Sequence, residues 1–358
     1  MHPTSGGLVI KRACTQAGLH SSILVESKRN RDKFLLDCGT IIGAEVLGAN
    51  HVFITHGHTD HIGAVVAFAR ARNNIYKTAC IFYVPSSSLD PLLKIKALYE
   101  EMDQREIPMD IRVINVGDDV MIGSPSNTQF RVHVFGTFHR VQSQGYAFYS
   151  RDVTRGHLLE EFQELEGKEL GALKKQGVTI TSPAIVKESL DLVYTGDTTF
   201  PSLVTECPFI FQAETLIMEC TYLEIDAASA AKWEHVHIGD IIDNIEVFEA
   251  VKHLVLCHLS GRYNPYGKAL AILRENMPLK LIPKTHVTLK TMGSRHEVTS
   301  LSRAFADFEK AKRTMPGAGF VPAYVRSNNK KICKTIDDND KDDKDVNVKG
   351  SCIQTAFK

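Results

Sequence analysis

Between positions 55 and 61 the chain reads Thr55-His56-Gly57-His58-Thr59-Asp60-His61, with four potential metal ligands in a segment directly after the apolar run His51-Val52-Phe53-Ile54. A strand that stops at such a segment delivers three imidazoles and a carboxylate to one point. Nitrogen and oxygen donors in this mixture suit a catalytic divalent ion such as zinc, because structural zinc favours closed, cysteine-rich tetrahedra. A solvated His-rich loop is the bland alternative. Against it stand Asp37, His139, Asp197 and His258, each placed where an apolar run ends. Ligands at strand ends are held by rigid elements while the adjoining loops leave room for water. Metal-assisted hydrolysis is the expected chemistry.

The elements that must position these residues can be read from apolar spacing. Short strands are expected at 8–10, 22–26 and 33–39, the last ending in Asp37-Cys38-Gly39. A helix follows the His cluster at 64–73, then a strand at 80–84, an amphipathic helix at 92–105, and strands at 112–116 and 130–135. Residues 154–176 read as a charged helix with Leu158, Leu159, Phe162, Leu165, Leu170 and Leu173 as its stripe. Strands at 190–194, 215–218 and 254–257 and a helix at 238–250 complete the pattern. Strands alternating with helices after an all-strand start predict an α/β fold, an αββα sandwich of two mixed sheets flanked by helices.

A chain of 358 residues, 43% hydrophobic and 23% charged, can bury a large core, and its zero formal net charge advertises no global attraction to nucleic acid. RNA contact would have to come from a local patch. Eight cysteines without a C-x-x-C pair point to a reducing compartment, so cytoplasm, nucleus or an organelle matrix is expected. No apolar stretch approaches the roughly 20 residues of a membrane span. Residues 1–325 read as one catalytic domain, and the run Asp337 to Asp345 within 326–358 reads as a disordered charged tail.

The ligand order H-x-H-x-D-H, single His, Asp in Thr195-Gly196-Asp197 and a last single His is similar to that of the metallo-β-lactamase superfamily. Four segments narrow this: His139-Arg140-Val141-Gln142-Ser143-Gln144-Gly145-Tyr146, Tyr194-Thr195-Gly196-Asp197-Thr198-Thr199, Glu219-Cys220-Thr221-Tyr222 and His258-Leu259-Ser260-Gly261-Arg262-Tyr263. Together they resemble the tRNase Z family, in its short form of plant type, over about residues 8–290. The resemblance implies the αββα fold, two zinc ions per subunit, precursor tRNA as substrate, and a homodimer. His56, His58 and His139 would hold one zinc, Asp60, His61 and His258 the other, and Asp197 would bridge them. Asp37 would stand behind the ligands and fix an imidazole's tautomer. Glu219 and His235 match the family's proton relay, although His237, two residues on, leaves the register open; Asp60 could also take a proton from the attacking water.

Arg262 is suited to a phosphate oxygen as a charge-assisted donor, with Ser260 adding a hydroxyl. Residues 152–191 occupy the slot of the family's tRNA-gripping arm. The Gly-Pro-rich hand is missing there, leaving Lys168, Lys174 and Lys175 as modest phosphate contacts beside the acidic Glu160, Glu161, Glu164 and Glu166. Two other readings compete. One is a glyoxalase II-like thioesterase or small-molecule phosphodiesterase on the same ligands; the other is an inactive RNA-binding scaffold.

Overall fold

Alternation along β3 (Lys33–Leu36) and β4 (His51–Phe53) decides what each face of the first sheet meets. Phe34, Leu36 and Phe53 point into one apolar cluster, while Leu35 and Val52 point into another. Continuous apolar runs of this kind are what strands covered on both faces require. In this computed structural model the sheet runs in the order β1 (Leu8–Gln16), β2 (His20–Ser27), β3, β4, β5 (Ile81–Val84), β6 (Asp110–Val113). It is antiparallel as far as β3 and parallel beyond it. The parallel connections are helical: α1 (Thr59–Ile62) and α2 (Val65–Ile75) join β4 to β5, and α3 (Ser86–Asp103) joins β5 to β6.

The second sheet holds β7 (Asp119–Ser124), β8 (Asn127–Thr137), β9 (Ser143–Thr154), β10 (Ile185–Tyr194), β11 (Thr215–Glu219), β12 (His253–Cys257), β13 (Thr285–Lys290) and β14 (His296–Ser300), in chain order across the sheet. Its first four strands form an antiparallel meander, and β10 to β13 are parallel. Between and after them lie α4 (Gly167–Lys175), α5 (Phe200–Glu206), α6 (Ala227–Trp233), α7 (Ile238–Asp243), α8 (Tyr266–Asn276) and α9 (Leu301–Thr314). On β12, Val255 and Cys257 face the first sheet, while Leu254 and Leu256 face the outer helices. Phe34, Phe53, Phe130, Phe148 and Tyr146 fill the space between the sheets, each burial worth roughly 1.5–3 kcal/mol. The architecture is the expected αββα sandwich.

The structure describes residues 7–76, 80–124, 127–154, 156–224, 227–263, 266–290 and 296–314. These belong to one compact unit, Met1–Val321. The domain boundary read at 325 and the charged tail at 326–358 lie outside the described residues. No helix among the described residues is long and apolar enough to cross a membrane.

Two expected helices are corrected. Residues 154–176 are not one helix: β9 continues to Thr154, paired with Ile185 of β10, a 3-10 turn spans Glu160–Phe162, and α4 starts only at Gly167. The ladder to β10 claims Thr154, and a capping box of Glu166 and Glu169 fixes the late start. Nothing in α4 is buried, so its leucines form no core stripe. The helix expected over 238–250 stops at Asp243, where Asn244 turns its side-chain amide back to the Asp240 carbonyl, 2.8 Å away.

Candidate metal centre

The described strands that carry the expected ligands all end on one edge, and the chain is bent there by unusual backbone. Asp37 and His258 take left-handed φ values of 56° and 58°, conformations that non-glycine residues hold only where their surroundings enforce them. Gly196, before Asp197, has φ 62°, and a Cβ there would lie 2.7 Å from the Thr55 side chain. Gly39 meets the Asp60 carbonyl so closely that a Cβ would sit 1.7 Å from it. The two loops are thus locked together by residues that only glycine can supply.

Two groups of donors result. In the first, His56 Nε2 lies 3.0 Å and His139 Nε2 3.2 Å from His58 Nδ1. In the second, His258 Nε2 is 3.3 Å from both His61 Nε2 and Asp60 Oδ2. Asp197 Oδ2 lies between the groups, 3.3 Å from His61 Nε2, 3.8 Å from His56 Nε2 and 3.9 Å from His139 Nε2. The donor atoms of His56, His58, His139 and Asp197 all fall within 4.8 Å of one another, as do those of Asp60, His61 and His258.

This arrangement fits metal ions. Four donors at zinc distances of 2.0–2.1 Å stand about 3.3 Å apart at the corners of a tetrahedron, close to the spacings here. Asp197 Oδ1 is buried and accepts no hydrogen bond, although His258 Nδ1 is 3.3 Å away. The donors are nitrogen and oxygen throughout. Cys38, Cys220 and Cys257 follow or precede site residues in the chain, but each is turned into an apolar cluster where burial pushes its thiol well above the ordinary range.

Hydrogen bonds behind the donors fix which ring nitrogen is offered. The fully buried Asp37 accepts from His61 Nδ1 (2.7 Å), the Tyr194 hydroxyl (2.6 Å) and the Thr55 amide (2.8 Å). His61 Nε2 is thereby left for the centre. His139 Nδ1 donates to the Glu234 carbonyl at 3.1 Å, His56 Nδ1 meets Thr55 Oγ1 at 2.9 Å, and His258 Nδ1 meets Thr221 Oγ1 at 3.0 Å. Asp60 Oδ2 accepts from the Gly18 amide at 2.8 Å. Thr55, Tyr194, Thr221 and Glu234 were not singled out from sequence. Threonine and tyrosine hydroxyls and a backbone carbonyl carry no spacing signal; Tyr194 and Thr221 lie within segments that carry the family resemblance, but nothing in the sequence assigns them a role there.

Charge follows from these contacts. Burial, reinforced by the neighbouring imidazoles, holds His56 well below its ordinary value, and burial takes His139 down to about 4. Both are neutral, as metal ligands must be. Burial disfavours the charged forms of Asp60 and Asp197 as well, but His258 and His61 outweigh it and hold both carboxyls far below the usual range. His61 moves the other way: burial opposes its charge, yet Asp197 and Asp37 lift it well above 6.5.

His235 and His237 have different surroundings. His235 Nδ1 bonds Glu219 Oε1 at 2.8 Å, and its ring lies 5.1 Å from that of His139 and 5.5 Å from that of His258. Burial would lower its pKa, but the Glu219 carboxylate raises it to about 9. Its ligand atom also falls within 4.8 Å of Asp197 and His258. Glu219, fully buried, further accepts from the Thr198 amide (2.9 Å) and the Thr221 hydroxyl (2.6 Å). His237 instead caps α7, its Nδ1 accepting the Gly239 amide at 3.0 Å.

The substrate-facing candidates divide. Ser260 and Arg262 lie on the loop after His258, with the Arg262 guanidinium 5.1 Å over the Tyr222 ring, itself 6.2 Å from His235. Lys168, Lys174 and Lys175 are exposed on α4, at the far end of the β9–β10 hairpin. They lie in the segment between the paired ends of the two strands, Thr154 and Ile185, and no hydrogen bond or ion pair among the described residues joins them to the donors.

Comparison with known proteins narrows the family. A family model described as Anti-Pycsar protein Apyc1 matches residues 10–161. The chain is 31% identical to tRNase Z TRZ1 of Arabidopsis thaliana over 220 residues, 61% of this chain and 75% of that one. The chain belongs to the tRNase Z family. A second relative of this tRNase Z family member, Ribonuclease Z of Macrococcus caseolyticus, is 27% identical over 285 residues, 73% of this chain and 87% of that protein. Among solved structures, the metallo-β-lactamase fold protein YhfI of Bacillus subtilis has a TM-score of 0.52 at 14% identity, covering 82% of this chain and 98% of its own. A long form RNase Z from yeast has a TM-score of 0.53 at 14% identity, covering 86% of this chain and 44% of its own. At such identities the two establish the metallo-β-lactamase fold.

Proposed function

We propose that this chain is a metal-dependent endoribonuclease that removes the 3′ trailer of precursor tRNA. It hydrolyses the phosphodiester 3′ of the discriminator nucleotide, leaving a 3′-hydroxyl on the tRNA and a 5′-phosphate on the trailer. The observation that carries this reading is the convergence of seven His and Asp donors at one edge of the sandwich, from strand ends of both sheets, in a chain 31% identical to a tRNase Z over 75% of that relative's length. Two zinc ions are the cofactor assigned: His56, His58 and His139 would hold one, Asp60, His61 and His258 the other, and Asp197 would bridge. When bound, such ions lower the pKa of water and offset charge on the phosphoryl oxygens.

The chain's own residues do the rest. Asp60, ionised and oriented by the Gly18 amide, accepts the proton of the attacking water. His235, held charged by Glu219, donates a proton to the 3′ oxygen as its bond to phosphorus breaks. Arg262 exchanges its place over Tyr222 for a phosphate oxygen, with Ser260 beside it. Lys168, Lys174 and Lys175 contact phosphates of the tRNA body far from the cut.

The working unit is a homodimer, a reading supported by α3, where Leu98 and Met102, one turn apart, are 59% and 72% exposed. Light scattering that finds only monomers at full activity would remove it. Cys38, Cys80, Cys207, Cys220 and Cys257 are buried free thiols, in keeping with cytoplasm or nucleus.

The decisive experiment incubates the protein with end-labelled precursor tRNA, beside Asp60→Ala and a chelator-treated sample. A single cut 3′ of the discriminator, lost in both controls, supports the proposal. An intact precursor from a metal-loaded protein would move the assignment to a small phosphodiester or thioester, and an intact precursor from protein that takes up no metal would favour a scaffold.

A further inference from the structure

The chain contains a single tryptophan, Trp233, two residues before His235. It is the last residue of α6, immediately before Glu234, whose carbonyl holds His139. Glu234 takes a left-handed φ of 57°, so the chain turns sharply between the indole and the imidazole. Two cations lie over the ring: the Arg140 guanidinium at 4.9 Å from its centroid and the Lys232 ammonium at 5.2 Å. Arg140 follows His139 directly, so the pair joins the two loops that carry His139 and His235. Even so, Trp233 remains 41% exposed, and Phe138, on the other side of His139, is 54% exposed.

A large aromatic side chain left partly open beside the metal-centre residues and accompanied by two positive charges has the composition of a base-stacking platform. The indole offers a face to a nucleobase, and the cations answer the phosphates on either side of it. We propose that Trp233 stacks on the base of the nucleotide that carries the leaving 3′ oxygen, with Arg140 holding the ring, and thereby positions the scissile phosphate. The inference rests on the precursor-tRNA reading of the site. The choice of nucleotide follows from His235: a donor to the leaving 3′ oxygen must face the nucleotide on the 5′ side of the cut, and Trp233 lies on the same turn. It is a positioning residue, recognising a π-face rather than a particular base.

Because Trp233 is the only tryptophan, its fluorescence reports the contact directly. Titration with precursor tRNA should quench it, and a precursor abasic at the nucleotide 5′ of the cut should quench it far less. In cleavage, Trp233→Ala should raise KM about tenfold on the intact precursor, the order expected for one lost base–aromatic stack, while Trp233→Phe retains most of the affinity. The loss should vanish on the abasic substrate, where parent and Trp233→Ala should perform alike. Equal losses on intact and abasic precursors, or a Trp233→Ala enzyme indistinguishable from the parent, would overturn the stacking role while leaving the tRNA reading intact. A parent protein that does not cleave the precursor at all would overturn both.

Discussion

Asp37 makes no bond that hydrolysis would break, yet three residues, Thr55, His61 and Tyr194, converge on its carboxylate, and one of them is a candidate ligand imidazole. Replacing it with Asn keeps the shape but offers His61 an amide in place of a charge. Metal affinity should fall 10- to 100-fold, as for other partners behind ligand histidines, while the fold survives. Chelator competition measures this, and an unchanged affinity would mean that His61 is oriented by packing alone. Glu219 acts on His235 in a similar way, but its effect appears in the pH profile. The donating form of His235 exists below its pKa, so cleavage should decline as pH rises through that value, about 9 for the chain itself and lower beside bound cations. Glu219→Gln removes the charge that raises it, and the alkaline limb of kcat should move toward acid. A limb that stays in place would sink the assignment of His235 as the proton donor.

At the scale of elements, His235 and His237 illustrate what a sequence can and cannot rank. Both flank Val236 and both are chemically able to donate a proton, and nothing in spacing separates them. The structure gives one to Glu219 and the centre and makes the other a helix cap. His237→Ala should therefore lower stability by about 1 kcal/mol, the usual scale for a lost cap, with cleavage largely retained, whereas His235→Ala should cleave poorly at near-parent stability. Denaturant midpoints and cleavage rates on the same two proteins check both halves. The strand ends before Asp37, His56, His139, Asp197 and His258 were legible because buried strands announce themselves as apolar runs. The hairpin of β9 and β10 was not: its outer residues Ile185 to Ser189 are all solvent-exposed, apolar and polar alike, and their strand pairing is decided by partners more than thirty residues away. Charged, leucine-bearing sequence at 154–176 imitates a helix, but none of its described residues is buried, so no packed face holds the leucine stripe together.

Across the whole molecule, three apolar layers hold the two sheets and their helices together while the polar residues gather at one edge, so stability and metal loading are joined there. In the metal-free protein, Asp197 and Asp37 favour a proton on His61. A group whose folded pKa is raised stabilises the fold below its unfolded value, near 6.5, and that contribution is lost only as pH rises through the folded value. Metal binding through Nε2 requires the same proton to leave. Zinc uptake should therefore release protons, and the gain in Tm on loading should grow as pH is raised from about 6 to 8. Titration of stripped protein with zinc in weak buffer detects the protons, and thermal unfolding with and without metal at each pH gives the gain. If uptake releases no proton and the gain in Tm is flat across that range, His61 is not a ligand through Nε2, and the pairing of Asp60, His61 and His258 around one ion would have to be redrawn.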